Sequence, residues 1–231
     1  MAGPIVAVVA PGAMGSAVGA RLVERGIDVI TSLDGRSRSS SERAERSGMR
    51  PVPEAEIAKA AFILSIVPPS EALGLAERLA PILSAARAKP LYIDCNAVGS
   101  ATVSRIGTAI TATGAAFADA GIIGGPPKAG YDGPSIYVCG VAADKIAPLS
   151  EGGLKMRHLD GPVGAASALK MSYASITKGL TGIATASILA ASRYGAADAL
   201  HAELTASQKA ILATITRAVP DMFQKAYRFE S

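Results

Sequence analysis

The run from Ile5 to Ala10 is wholly apolar, breaks at Pro11-Gly12-Ala13-Met14-Gly15, and resumes through Ser16-Ala17-Val18 with helical spacing. No other segment constrains the fold as much. A buried strand that enters a glycine turn and leaves it as a helix opens a βαβ unit, and the turn carries its own chemistry. A glycine at 12 lets a diphosphate approach the main chain, Gly15 lets helix and strand pack closely, and the helix start at Ala13 and Met14 offers free N–H groups to an anion. A nucleotide cofactor is therefore expected. Ala10 stands where the first glycine of G-x-G-x-x-G would be, so the fingerprint is degenerate.

From residue 4 to about 160, short apolar runs alternate with helical patterns, the signature of a mostly parallel sheet with helices on both faces. The runs are Ile5 to Ala10, Asp28 to Ser32, Phe62 to Val67, Leu91 to Cys95, Ala115 to Ala118, Ser135 to Cys139 and Leu154 to Leu159. Gly161-Pro162 punctuates the chain, and from Val163 to Arg193 the pattern is continuously helical. Helical character continues to Ser231, with interruptions expected near Gly195 and Pro220, and the closing Phe229-Glu230-Ser231 has no stop signal. The expected fold is α/β: a Rossmann-type doubly wound, mostly parallel sheet over residues 1–161, then a small all-α domain over 162–231. Hydrophobic residues make up 49% of the 231 and aromatics only 4%, with 24 glycines, which suits helices packed tightly on a sheet.

The net charge of +4 is spread along the chain, so it favours an anionic ligand and gives no reason to expect a nucleic-acid partner. Cys95 and Cys139 lie in apolar runs and are expected to be buried thiols. His158 and His201 are far apart, so no metal-ligand cluster is expected. The N-terminus shows no secretory pattern. The uncharged run Gly179 to Ser192 falls short of the roughly 20 apolar residues of a membrane span. A cytoplasmic protein without a membrane partner is the expectation.

Cofactor choice is addressed after the second strand, at Ile30-Thr31-Ser32-Leu33-Asp34-Gly35-Arg36-Ser37-Arg38. Asp34 is placed where an acid would bind the ribose 2′-hydroxyl of NAD. The turn that follows it, with Arg36, Ser37 and Arg38, suits the phosphate monoester of NADP better. NADP is the expected cofactor and NAD the alternative; a solvated loop leading into an amphipathic helix is the plain reading of both arginines.

The second informative segment is Gly164-Ala165-Ala166-Ser167-Ala168-Leu169-Lys170-Met171-Ser172-Tyr173. At 100° per residue, Thr177 and Thr181 lie within about 20° of Lys170, Tyr173 about 60° away, and Lys178 about 80° to the other side. A polar stripe thus runs along an otherwise apolar helix, beginning just past the nucleotide domain.

In this order of motifs the chain resembles the β-hydroxyacid dehydrogenases, a family that includes 3-hydroxyisobutyrate dehydrogenase and the coenzyme domain of 6-phosphogluconate dehydrogenase. Gly12-Ala13-Met14-Gly15 resembles the family's cofactor loop, and Ile66-Val67-Pro68-Pro69 the segment beside the cofactor riboses. Asp94-Cys95-Asn96-Ala97-Val98 resembles the segment that approaches the nicotinamide, and Asp119-Ala120-Gly121-Ile122-Ile123-Gly124-Gly125 the substrate-binding loop. Gly164 to Lys170 resembles the segment bearing the catalytic lysine. Two positions depart from the pattern: Ile123 stands for a Ser, and Ala174 for an Asn. Both make the pocket less polar and imply a divergent member with a short helical tail.

The resemblance implies hydride transfer between NADP(H) and a small hydroxy or carbonyl substrate, with Lys170 moving the proton. Desolvation and neighbouring Lys178 would push the Lys170 ammonium toward neutrality. Gly12, Ala13, Met14, Arg36, Ser37, Val67, Pro68 and Asn96 would hold the cofactor. Asn96, Ile123, Gly124, Gly125, Tyr173 and Lys178 would border the substrate. A homodimer through the C-terminal helices is expected, because those helices bury little alone. Two rivals are an imine reductase of related architecture, in which Tyr173 would matter, and an NADP-sensing protein without turnover.

Overall fold

The computed structural model describes residues 3–223, so the expectation for Phe229 to Ser231 lies outside the described residues. The chain forms two compact units, Met1–Met171 and Ser172–Ser231, and the division falls past the Gly161-Pro162 punctuation.

The first unit is an eight-stranded sheet made of β1 (Val6–Val9), β2 (Val29–Ser32), β3 (Arg50–Val52), β4 (Phe62–Ser65), β5 (Leu91–Asp94), β6 (Ala116–Ile123), β7 (Ser135–Cys139) and β8 (Lys155–His158). Their order is β3-β2-β1-β4-β5-β6-β7-β8. All neighbours are parallel except β6 and β7, which pair antiparallel from Asp119↔Cys139 to Ile123↔Ser135. The helices are α1 (Ala13–Glu24), α2 (Arg38–Arg46), α3 (Ala72–Ala85), α4 (Ser100–Thr111) and α5 (Ala143–Glu151). Strand residues alternate between two cores. On one face Val6, Val8, Leu64 and Ile93 pack with Val18 and Leu22 of α1, Ala44 of α2 and Leu149 of α5. On the other, Ala7, Ile63, Tyr92 and Phe117 pack with Leu75, Leu79 and Leu83 of α3 and Val103, Ile106 and Ile110 of α4. The Rossmann-type sheet expected from the sequence is therefore present.

The structure corrects two readings of the sheet. Arg50–Val52 is a strand that the alternation did not disclose. Residues 119 to 123, expected as a loop, complete β6 instead. Asn96, expected to face cofactor or substrate, is 2% exposed and hydrogen-bonded to Ser65, Val67 and Asp94.

Helix α6 (Ala165–Arg193) spans the division between the units, and it is long and apolar enough to cross a membrane by length and composition. This exceeds the Gly179 to Ser192 run. Its first turns are tied into the sheet core, where the Ser167 N–H donates to Asp119 at 2.9 Å. The second unit continues with α7 (Ala197–Ser207) and α8 (Lys209–Phe223), which pack on each other. Gly195 ends α6 in a left-handed conformation at φ +71°. Pro220 does not interrupt the chain as expected: among the described residues α8 runs through it. The break comes at Gln208 instead, at φ −137°.

Candidate functional site

Strand β1 lies between β2 and β4, so the chain leaves the sheet in opposite directions on its two sides. A crevice opens outside the carboxyl ends of such strands, where open α/β sheets bind ligands. The glycine turn after β1 and the Ile66-Val67-Pro68 segment after β4 border it. Gly12 is the N-cap residue of α1, and no side chain caps the helix. A side chain added at Gly12 would meet nothing within 4 Å, whereas one at Gly15 would collide with the Ala10 carbonyl oxygen. Gly15 is therefore needed for packing and Gly12 for open space. The Gly12 N–H donates to Ala10 O at 2.8 Å, and Ser16 Oγ donates to Gly12 O at 2.7 Å. The turn is thus rigid, while the N–H groups at the start of α1, those of Ala13 and Met14, have no partner within the helix.

After β2 the chain turns at Gly35, φ +68°, where the Arg36 N–H donates to Leu33 O at 3.0 Å. Asp34 accepts the Glu54 N–H at 3.0 Å, so the acid is drawn toward the short helical turn beginning at Glu54. Ser37 caps α2 by accepting the Ser40 N–H at 3.3 Å, and Arg38 is exposed and paired with Glu42 at 3.0 Å. Arg36 is half-buried and in no ion pair among the described residues. Sequence reasoning missed Arg43. From α2 its Nε donates to Pro11 O at 2.8 Å and its Nη2 to Ser40 Oγ at 3.0 Å, which fixes a guanidinium against the glycine turn.

A buried polar layer runs from the carboxyl ends of β4 and β5 to Asp119 in the middle of β6. Asn96 Oδ1 accepts the Val67 N–H at 2.7 Å, while its Nδ2 donates to Ser65 Oγ at 2.8 Å and to Asp94 Oδ1. Its amide therefore clasps the loop after β4 to the end of β5 and orients Val67 and Pro68 at the crevice. Asp94 is fully buried, and its Oδ2 lacks a hydrogen-bond partner. Burial lifts the Asp94 carboxyl to about 7; hydrogen bonds from Asn96 and Ser65 oppose the rise, and the charge of Asp119, its register partner on β6, adds to it.

That shift has a measurable sign. An unfolded Asp titrates near 4, so between about pH 4 and about pH 7 the folded protein holds one more proton, and stability falls as pH rises through that window. Asp94→Asn is expected to remove a slope of roughly 1.4 kcal/mol per pH unit there. Denaturant unfolding of both proteins at a series of pH values checks this, and parallel pH profiles would refute it.

Lys170 sits on the second turn of α6, and its position is set from β6. Asp119 Oδ2 accepts the N–H groups of Gly164 at 3.0 Å and Ser167 at 2.9 Å, and its Oδ1 accepts Ser167 Oγ at 2.6 Å. Gly164 takes φ +101°, which a glycine allows. A side chain at Gly121 would press on the Ala166 carbonyl oxygen at 2.6 Å and Lys170 Cβ at 3.1 Å, so Gly121 lets α6 lie directly on the strand. Lys170 Nζ donates to Ile122 O at 2.7 Å. Ile123 ends β6 half-buried. Gly124 follows at φ +128°, where a side chain would meet the Tyr131 hydroxyl at 2.7 Å, and Gly125 is open.

The rest of the expected stripe belongs to the second unit. Tyr173 is 52% exposed and Lys178 is exposed. The hydroxyls of Thr177 and Thr181 donate to carbonyls of their own helix, Tyr173 O at 2.9 Å and Thr177 O at 2.9 Å, so their protons are directed into α6.

A switch-point crevice, an uncapped glycine turn and a cation fixed against that turn define a dinucleotide-binding α/β protein. Residues 5–149 match the NAD binding domain of 6-phosphogluconate dehydrogenase, and the chain belongs to that family. Residues 191–230 match a domain of unknown function (DUF1932). Among solved structures, the conserved protein MTH1747, described as structurally similar to 3-hydroxyacid dehydrogenases, is 27% identical at a TM-score of 0.79, with 98% of this chain and 85% of that one covered. The 3-hydroxyisobutyrate dehydrogenase of Mycobacterium tuberculosis, solved with L-serine, is 20% identical at a TM-score of 0.73, covering 89% and 71%. The imine reductase of Myxococcus stipitatus, solved with NADP+, is 20% identical at a TM-score of 0.70, covering 97% and 77%. At such identities the last two share the fold. No curated protein matches the chain.

Proposed function

We propose that the protein is an NADP-dependent oxidoreductase that moves hydride between NADP(H) and a small hydroxy or carbonyl substrate, with Lys170 as the proton donor and acceptor. The observation that carries this reading is the placement of Lys170. Its Nζ is held by Ile122 O at the carboxyl end of β6, on the sheet edge that also bears the glycine turn. The cofactor supplies the hydride. The chain's own residues do the rest. Ala13 and Met14 present N–H groups to the diphosphate, and the Asn96 clasp holds Val67 and Pro68 beside the cofactor. Gly125, with its open backbone, borders the substrate together with Ile123 and Gly124. For carbonyl reduction, Lys170 Nζ gives a proton to the oxygen as hydride reaches the carbon; in oxidation the same amine takes it back.

NADP is preferred because Arg36 is half-buried and in no ion pair among the described residues, with the Ser37 hydroxyl next in the chain, while one oxygen of the Asp34 carboxylate already accepts the Glu54 N–H. Arg36→Ala is expected to weaken NADPH about tenfold or more and NADH little. Fluorescence titration of both cofactors checks this, and equal losses would show that the 2′-phosphate is not the group being read.

The 162–231 region is read as a substrate and dimerisation domain. On α6, Ile176 and Ile183 are 72% and 70% exposed, and with Tyr173 and Leu180 they share one helix face; Tyr194, just past the helix, is 86% exposed. A homodimer would bury this apolar surface. Light scattering at micromolar concentration should give twice the chain mass; a stable monomer would count against it.

The deciding experiment for function is NADPH consumption against a panel of aldehydes, keto acids and cyclic imines. Turnover of carbonyls supports the proposal. Turnover of imines alone would point to an imine reductase, and tight NADPH binding without turnover to a sensor.

A further inference from the structure

We infer that Asp119 is the positioning residue that sets Lys170 for proton transfer; this rests on the reading of Lys170 given above. Strand β6 holds the lysine helix at two points. The Asp119 carboxylate takes the Gly164 N–H, the Ser167 N–H and the Ser167 hydroxyl, and three residues along the same strand Ile122 O takes Lys170 Nζ. Between these points Gly121 leaves no room for a slide, with the Ala166 backbone and Lys170 Cβ against the strand. Ser167 and Lys170 are three residues apart and so lie on neighbouring positions of one helix face. A rotation of the first turn of α6 about its axis therefore carries the amine away from the sheet edge. The Asp119–Ser167 bonds are what oppose that rotation.

The choice of residue supports a role beyond capping. A Ser or Asn would cap α6 without a charge. Asp119 instead places a carboxylate beside the fully buried Asp94, its register partner, in a layer that also contains Cys139, whose Sγ lies 3.5 Å from Asp119 Oδ2. Charge-assisted hydrogen bonds are shorter and stiffer than neutral ones. A second acid beside buried Asp94 is a cost, seen in the upward push that the Asp119 charge gives the Asp94 carboxyl; a cap alone does not require it, whereas a stiff mount for a catalytic amine does.

The test compares Asp119→Asn, Ser167→Ala, Lys170→Ala and the Asp119→Asn/Lys170→Ala double variant on the substrate identified by the panel. Asp119→Asn is expected to lower kcat about tenfold or more, with KM and NADPH affinity little changed, since misplacing a proton donor costs rate and not binding. Ser167→Ala, which keeps both backbone bonds, is expected to show a smaller loss of the same kind. In the Lys170→Ala background Asp119→Asn should add nothing; an equal loss in both backgrounds would reduce Asp119 to a structural cap and overturn the inference. A second readout needs no substrate. Acylation of Lys170 at fixed pH, followed by mass spectrometry, should run several-fold faster in Asp119→Asn and in Ser167→Ala, relative to Lys155 in the same sample. Unchanged relative labelling in both variants would also overturn it. If Lys170→Ala retains full turnover, the proton-donor reading fails, and the labelling alone decides whether Asp119 positions the lysine.

Discussion

Lys170→Ala is expected to lower turnover by roughly 10²-fold or more while NADPH affinity stays nearly unchanged, because a positioned proton donor contributes to the reacting step and not to cofactor binding. Lys170 lies on α6, held to Ile122 O at the end of β6, whereas the glycine turn and Arg43 lie across the sheet edge beside β1. Stopped-flow turnover and equilibrium NADPH titration separate the two quantities. Lys170→Arg should fail as well, since a guanidinium does not release its proton near neutral pH. The pH dependence that belongs to this group should disappear in both variants. Wild-type turnover in Lys170→Ala would shift the role to Tyr173 or Lys178.

The second large effect divides the two glycines of the first turn. Gly15→Ala would set a methyl group against the Ala10 carbonyl oxygen, a backbone atom that cannot swing aside, so the variant is expected to lose about 2–3 kcal/mol of stability and several degrees in Tm. Gly12→Ala meets open space and should keep the wild-type Tm. It should nevertheless weaken NADPH about tenfold or more, because the new methyl stands where the diphosphate approaches the main chain. Thermal unfolding and cofactor titration of both variants form the check. A Gly12→Ala protein with undiminished NADPH affinity would remove Gly12 from the cofactor site.

The parallel strands were legible because their apolar runs are continuous, as strands covered on both faces require. β3 was not, since Arg50-Pro51-Val52 is three residues long and its proline reads as a turn. β6 was cut short in the sequence because Asp119 and Gly121 look like loop residues. The acid is tolerated there only because α6 brings the Gly164 and Ser167 donors to it, and the glycine only because the backbone of α6 presses on it. Both facts live in contacts more than forty residues apart along the chain. The clasp made by Asn96 was hidden for a related reason. A polar residue just past a strand end looks ligand-facing, yet its partners Ser65 and Val67 come from the neighbouring strand and its loop. Arg43 reads as one of several charges on an amphipathic helix, and only the fold of α2 back over the first turn reveals its contact with Pro11. Lys170 itself was visible in the sequence; what mounts it was not.

The two outermost strands bear on how copies of this chain can associate. β3 contains Pro51, which has no N–H to offer, and β8 reads Lys155-Met156-Arg157-His158, with its lysine, arginine and histidine exposed. A strand from a second molecule would find one donor missing on the first border and would bring its own backbone against two cations on the other. Both margins of the sheet thus resist extension into a continuous intermolecular ribbon. Such margins disfavour edge-to-edge strand pairing between copies of this chain.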